Sequence, residues 1–301
     1  MKKHRKITAA VVAVIMCMSC TGFSNISNIR FNDNVIIANA EDGVWDGTDD
    51  TSWYDGEEKE LYISTAEELA GLSTIVNKGN SMDGQTIVLG SDIYLNSLVD
   101  MDKWSENPPE LTWTSIGTIE CPFKANFKGN GHTVHGLNGQ SLFGYIESNI
   151  ISELTLKNGY SGSVCGHSEN TTFENCINNN PFGSSCTIKS GGDDSYERNY
   201  GGGICGYSSN TIFENCKNTG DGKVLAQLDY NIWVTNPQHL KSYIFYSYVG
   251  GICGFNDGTA LFDNCVNDGD ITGGQYYSGI LGSGFIRQSI FGSSSAILRK
   301  D

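Results

Sequence analysis

Residues 162–176 read GSVCGHSENTTFENC, residues 202–216 read GGICGYSSNTIFENC, and residues 250–265 read GGICGFNDGTALFDNC. A weaker fourth copy starts at residue 278 with SGILG and then loses the pattern. The matching phenylalanines Phe173, Phe213 and Phe262 set periods of 40 and then 49 residues. Self-similarity at such a period marks stacked supersecondary units, none of which buries its apolar face alone. Phe173 and Cys176 are three apart, so a straight strand would send them to opposite faces. If both point inward, the chain bends between them, and Asn175 is the residue suited to a left-handed bend. Asn215 and Asn264 hold the same place in the later copies. Bends repeated in this way, with parallel stacking, describe a coil of strands: an all-β parallel β-helix, or solenoid.

The same alignment places Cys165, Cys205 and Cys253 in one column and Cys176, Cys216 and Cys265 in another. If 40 residues make two turns of about 20 each, members of one column lie two strand spacings apart, roughly 9.6 Å. A disulfide needs Cα atoms within about 7 Å. The thiols are therefore expected to be free and buried, acting as small hydrophobes.

The first 40 residues are expected to be a signal peptide. Lys2, Lys3, Arg5 and Lys6 precede an apolar run, and Ala38-Asn39-Ala40 is a small-x-small cleavage site. The apolar run is too short for a comfortable membrane span. Its removal takes five basic residues and one acid, leaving 14 basic and 33 acidic residues and a formal charge of −19. Such a field repels nucleic acid and anionic lipid, so neither is an expected partner, and no membrane insertion is expected after cleavage.

Residues 41–84 read as an acidic leading segment followed by an N-terminal cap with one short helix. Asp46, Asp49, Asp50 and Asp55 offer carboxylates without the spacing of a twelve-residue calcium loop, so no metal is expected there. Ser64-Thr65-Ala66-Glu67 reads as a capping box, Leu69, Leu72 and Val76 recur at helical spacing, and Gly79 supplies the stop. A helix ahead of a run of strands suits a cap over the first strand edge. Residues 85–282 read as the coil. Short strands are separated by glycine and asparagine, and Phe123, Ala125 and Phe127 alternate with Lys124, Asn126 and Lys128. Residues 283–301 carry no further NC-x-N-x-G and read as a C-terminal tail or a truncated repeat.

GGICG and SGILG, with FENC-x-N-x-G, resemble the GLUG-motif repeats of bacterial secreted and surface proteins. Upstream, WDGTDDTSWY, ISTAEELAGLSTIVNKGNSMDGQTIVLGSDIYLN and PFKANFKGNGHTVHGL resemble the leader that often precedes them. The resemblance covers about residues 43–282 and implies a right-handed parallel β-helix of the pectate-lyase-like shape. It does not imply one activity, because such repeats stand beside adhesins, proteases and carbohydrate-active modules.

No catalytic residue is assigned from the sequence. His132 and His135 are three apart on a strand and face opposite sides, so one metal does not take both. The repeated thiols lack paired CxxC or CxxH spacing for zinc. Glu174, Glu214 and Asp263 share an outward column and, at two turns apart, would fit an inverting glycosidase geometry; as recurring surface acids they read instead as solvated. No cofactor is expected. The most unusual segment is the insertion at residues 223–248, where Trp233, Tyr243, Tyr246 and Tyr248 are the candidate ligand-binding residues. The competing reading is another turn of the coil plus a loop packed on its own aromatics. The expected function is a secreted or surface-associated, non-catalytic interaction module for polysaccharide or a cell-surface protein. The alternatives are a β-helical polysaccharide lyase or glycoside hydrolase, or the structural stalk of a longer surface protein.

Overall fold

The computed structural model describes residues 29–32, 35–38, 43–180, 185–189, 196–219, 224–226, 244–273, 276–291 and 295–296. Two units are present, Met1–Asp42 and Gly43–Asp301. The first holds an antiparallel pair, Ile29–Asn32 with Val35–Ala38, inside the stretch expected to be removed on export.

The second is a parallel β-helix with three walls. Wall A stacks Phe143–Glu147, Cys165–Glu169, Cys205–Ser209 and the start of Cys253–Asp263. Wall B begins with Glu60–Ile63, Thr86–Leu89 and Asn126–Lys128. It continues through Ile150–Ser152, Thr172–Glu174, Thr211–Glu214 and the end of Cys253–Asp263. Wall C runs from Ile93–Tyr94 through Thr133–His135, Thr155–Lys157, Ile177–Asn179 and Lys217–Asn218 to Val266–Asn267. Leu281–Phe291 adds a further turn to walls A and B, and all these pairings are parallel.

The length of a turn differs from expectation. Ile151 pairs with Phe173, Phe173 pairs directly with Phe213, and Phe213 with Phe262. Each copy is therefore one turn and not two. The step from Ile151 to Phe173 measures a bare circuit, and nearly all that the later copies add to it falls between walls C and A, the third copy adding one residue between walls A and B. This surplus feeds a second layer in which Ser185–Lys189 pairs antiparallel with Tyr196–Gly202, followed in parallel by Ile244–Gly250 and Tyr276–Ser278.

The corners follow the predicted chemistry. Asn175, Asn215 and Asn264 take φ of 54°, 53° and 49° between walls B and C. Asparagine enters this left-handed region more readily than other non-glycine residues, because its short amide bonds locally. A second corner, between walls A and B, uses Asn170 and Asn210 at φ 50° and 49°. The corner amides also tie turns together, with Asn264 Nδ2 donating to Asn215 Oδ1 at 2.7 Å.

Inside the coil, like stacks on like. Leu61, Ile87, Phe127, Ile151, Phe173, Phe213 and Phe262 form one buried column of wall B. Phe173, Phe213 and Phe262 are fully buried, with ring centroids 5.2 and 4.9 Å apart and nearly parallel planes. On wall C, the buried amides Asn178, Asn218 and Asn267 form a polar ladder, donating Nδ2 to Oδ1 at 3.1 and 2.8 Å. These are the x-N-x asparagines of the repeat. Buried amides need partners, and the next turn supplies them for the Asn178 and Asn218 donors.

Direct pairing puts the thiol columns one strand spacing apart, so the distance argument against disulfides does not hold. Cys165 pairs with Cys205, and Cys205 with Cys253, about 4.8 Å strand to strand. A different geometry keeps the thiols apart. In-register parallel neighbours hold their Cβ atoms near that spacing, outside the roughly 3.5–4.5 Å that a disulfide takes. The six repeat cysteines are buried and free, and Cys165 and Cys205 donate Sγ–H to the carbonyls of His167 and Tyr207. Burial pushes the Cys205, Cys216 and Cys253 thiols well above their ordinary pKa.

The paired glycines of GGICG mark close approach along the axis. A Cβ on Gly251 would sit 2.1 Å from the Gly279 carbonyl oxygen and 2.2 Å from the Asn267 amide carbon. Gly251→Ala must therefore displace both the next turn and the end of the amide ladder. A loss of about 2 kcal/mol or more is expected, read as a lowered melting temperature; an unchanged melt would contradict the packing.

The helix α1, Ala66–Asn77, is capped by Thr65 with Glu68 as the reciprocal partner. The predicted box is thus displaced by one residue. Ser64 does not supply the cap: its backbone N–H donates to the Glu68 carboxylate at 2.7 Å. Leu69, Leu72 and Val76 are fully buried in the core, and Gly79 takes φ +108° after the helix. The edge that α1 meets is that of wall A. Residues 113–117 bridge onto Gly139 and Phe143, and Ser73 and Asn77 hold them, Ser73 Oγ donating to Thr114 O and Asn77 Nδ2 to Ser115 O.

Candidate functional site

Of the predicted ligand residues, Trp233 and Tyr243 lie outside the described residues. Tyr246 belongs to the strand Ile244–Gly250, its backbone opposite Arg198. Tyr248 is half-buried, stacked on Tyr200 at 5.6 Å and tilted against Phe255 at 5.1 Å. Tyr200 is itself only 1% exposed and packs on Tyr207. Tyr200 and Tyr248 thus pack against the outside of wall A, and of the four candidates Tyr248 is the one whose side chain is described.

That packing covers a stack the sequence reading missed. Tyr145, His167, Tyr207 and Phe255 occupy one outward column of wall A, with centroids 4.2, 4.4 and 5.7 Å apart. The signal was present as the residue after CG in each copy, an aromatic ring every time. Tyr145 donates its hydroxyl to Glu169 and Tyr207 to Asp257, at 2.8 and 3.1 Å. Burial pushes His167 down to about 4. The folded chain then binds fewer protons than the unfolded one between about pH 4 and 6.5, so stability falls as pH drops through that window. The His167→Phe variant is expected to lose this acid-side decline, up to about 3 kcal/mol. Urea unfolding at pH 7 and pH 4.5 checks it; equal pH slopes for variant and parent would refute it.

The remaining polar candidates resolve into structure. His135 stacks on Tyr94 at 4.7 Å, and His132 Nδ1 lies 3.2 Å from Asp92 Oδ1. Asp46, Asp50 and Asp55 each accept a backbone N–H two residues on, closing local turns. Glu174, Glu214 and Asp263 stand on adjacent turns. The separation of about 9.6 Å now falls only between Glu174 and Asp263, and Glu214 occupies the place an attacking water would need.

A concavity among the described residues lies at the cap. A groove of about 500 Å³ opens between the leading segment, the last turns of α1 and the loop that precedes wall A. Trp45 and Leu111 supply its apolar surface; Thr74, Lys78, Thr112 and Thr114 supply its polar rim. Its frame is held from behind. Trp113, 3% exposed, meets Trp45 edge-on at 5.7 Å and donates Nε1–H to Leu142 O at 3.0 Å. Asn77 ties α1 to Ser115 and Gly117, and the Trp45 indole N–H donates to Thr48 O at 2.7 Å. The hydroxyls of Thr74, Thr112 and Thr114 and the Lys78 ammonium have no intramolecular partner among the described residues. In the sequence Trp45 stands among acids, in WDGTDD. Its partners across the groove come from α1 and from the loop ahead of wall A, distant segments that no local pattern joins.

Residues 245–272 match the family model of the GLUG motif, a span that contains the third copy of the repeat. The chain thus carries the GLUG motif within a repeated parallel β-helix. No curated protein and no solved structure matches it. No helix among the described residues is long and apolar enough to cross a membrane.

Proposed function

We propose that this GLUG-repeat coil is an extracellular, non-catalytic interaction module that holds carbohydrate of a cell surface or matrix. The groove at the cap carries the reading. It is preformed, it has the size of a small-ligand site, and it joins a tryptophan surface to unpaired hydroxyl and ammonium donors. The repeat supports the same view from the other side: its phenylalanines, thiols and asparagines fill the core and its corners, leaving a rigid scaffold. A net charge of −15 for the whole chain favours neutral over polyanionic partners.

The test is a glycan array, run beside reducing-end and unsaturated-uronate assays on the same polymers. Binding without turnover is the expected result. Turnover of any polymer would make the chain a lyase or hydrolase, and absence of binding to every glycan would remove the carbohydrate reading.

A further inference from the structure

We propose that the cap groove is a subsite for a neutral pyranose ring, laid with its C–H face on Trp45. The proposal rests on the interaction-module reading and names the ligand class that its groove takes. A sugar ring has one face of axial C–H groups and a periphery of hydroxyls that both donate and accept. Trp45 is half-buried and lines the groove, and Trp113 beside it meets its ring edge-on at 5.7 Å. An indole anchored in this way offers a large contact area with little conformational entropy to lose. The hydroxyls of Thr112 and Thr114 on one wall and Thr74 on the other are donors and acceptors without internal partners among the described residues. Lys78 and Asp49 add one cation and one anion, so the lining carries no net charge.

The field around the groove sets the class of sugar. Asp46, Asp49 and Asp50 crowd the leading segment. Thr48, through its N–H and hydroxyl, bonds the Asp46 carboxylate and holds its pKa below the ordinary range, so it remains charged at neutral pH. A uronate would bring its carboxylate against these acids with only Lys78 to offset them. A neutral ring meets no such penalty and still uses each hydrogen-bonding group. The groove is thus complementary to neutral hexose or N-acetylhexosamine units and opposed to uronates.

Isothermal titration and intrinsic tryptophan fluorescence, with cellobiose, mannobiose, N,N′-diacetylchitobiose and digalacturonate, test this on the full chain. Saturable binding of at least one neutral disaccharide is expected, with a shift in tryptophan emission and no response to digalacturonate. Trp45→Ala is expected to weaken binding roughly tenfold or more. Thr114→Tyr, at an exposed position on the groove wall, fills the space without touching the core and is expected to abolish binding. Melting temperatures of both variants separate loss of the site from loss of the fold. Neutral-sugar binding that survives both substitutions would overturn the groove while leaving the module reading intact. Equal or tighter binding of digalacturonate would overturn the ligand class. A wild-type chain that binds surface glycans on the array but none of the neutral disaccharides would also overturn the subsite alone.

Discussion

Phe213→Ala is expected to remove about 3–5 kcal/mol of folding stability through the lost side chain and the cavity left behind. The ring is fully buried and sits between Phe173 and Phe262, with planes within 7° and 3° of theirs. Each such aromatic contact adds about 0.5–1.5 kcal/mol beyond burial, and both are lost together. The whole stability of an ordinary domain is about 5–15 kcal/mol, so the variant should stand close to unfolding at room temperature. Ile212→Ala, the adjacent residue on the same strand but 36% exposed, is the control and should cost about 0.5–1 kcal/mol. Urea denaturation of both variants decides the matter. Similar costs for the two would mean that the phenylalanine column is not the spine of the coil.

The second large effect is polar. Asn218 is the middle rung of the buried amide ladder, accepting from Asn178 and donating to Asn267. Leucine there would take the ladder bond from two buried polar atoms, Asn178 Nδ2 and Asn267 Oδ1, at about 1–3 kcal/mol each. The expected loss is about 2–6 kcal/mol, although leucine is the more hydrophobic residue. Asn178→Leu is the informative comparison. Asn178 Oδ1 has no hydrogen-bond partner, and its neighbour on the preceding turn is Leu156. Leucine at 178 removes that unpaired oxygen and extends an apolar column, so it should cost less than leucine at 218. The reverse order would show that the ladder does not act as a connected unit.

These two columns also show what a reader of the sequence could see. The bend between Phe173 and Cys176 was legible because two inward residues three apart cannot share a straight strand, and Asn175 has the left-handed φ that resolves the conflict. The number of turns was not legible. A period is silent on how much of the chain stays in the coil, so the spacing from Phe173 to Phe213 read as two short circuits when it is one circuit with an excursion. The same error doubled the spacing of the thiols and of Glu174, Glu214 and Asp263. The helix was visible, but S-T-A-E-E contains two overlapping boxes and only backbone geometry chooses between Ser64 and Thr65. The insertion drew attention through its aromatic density, and of its aromatics Tyr248 packs on Tyr200. Trp45 and Thr114 are far apart in the chain and meet only because α1 and the loop ahead of wall A close the same end.

Nearly all of the surplus chain departs from one place, between walls C and A, in each long copy. The coil therefore separates two jobs that most folds entangle. A closed circuit the length of the Ile151–Phe173 step sets stacking, and the excursion can change length without altering any rung. The excursion ahead of Phe262 is about half as long again as the one ahead of Phe213, and a ratio of that size raises the closure entropy by only about 0.4 kcal/mol. Such an architecture lets outer segments diversify almost freely while the spine stays constant, much as pages of different width can share one binding.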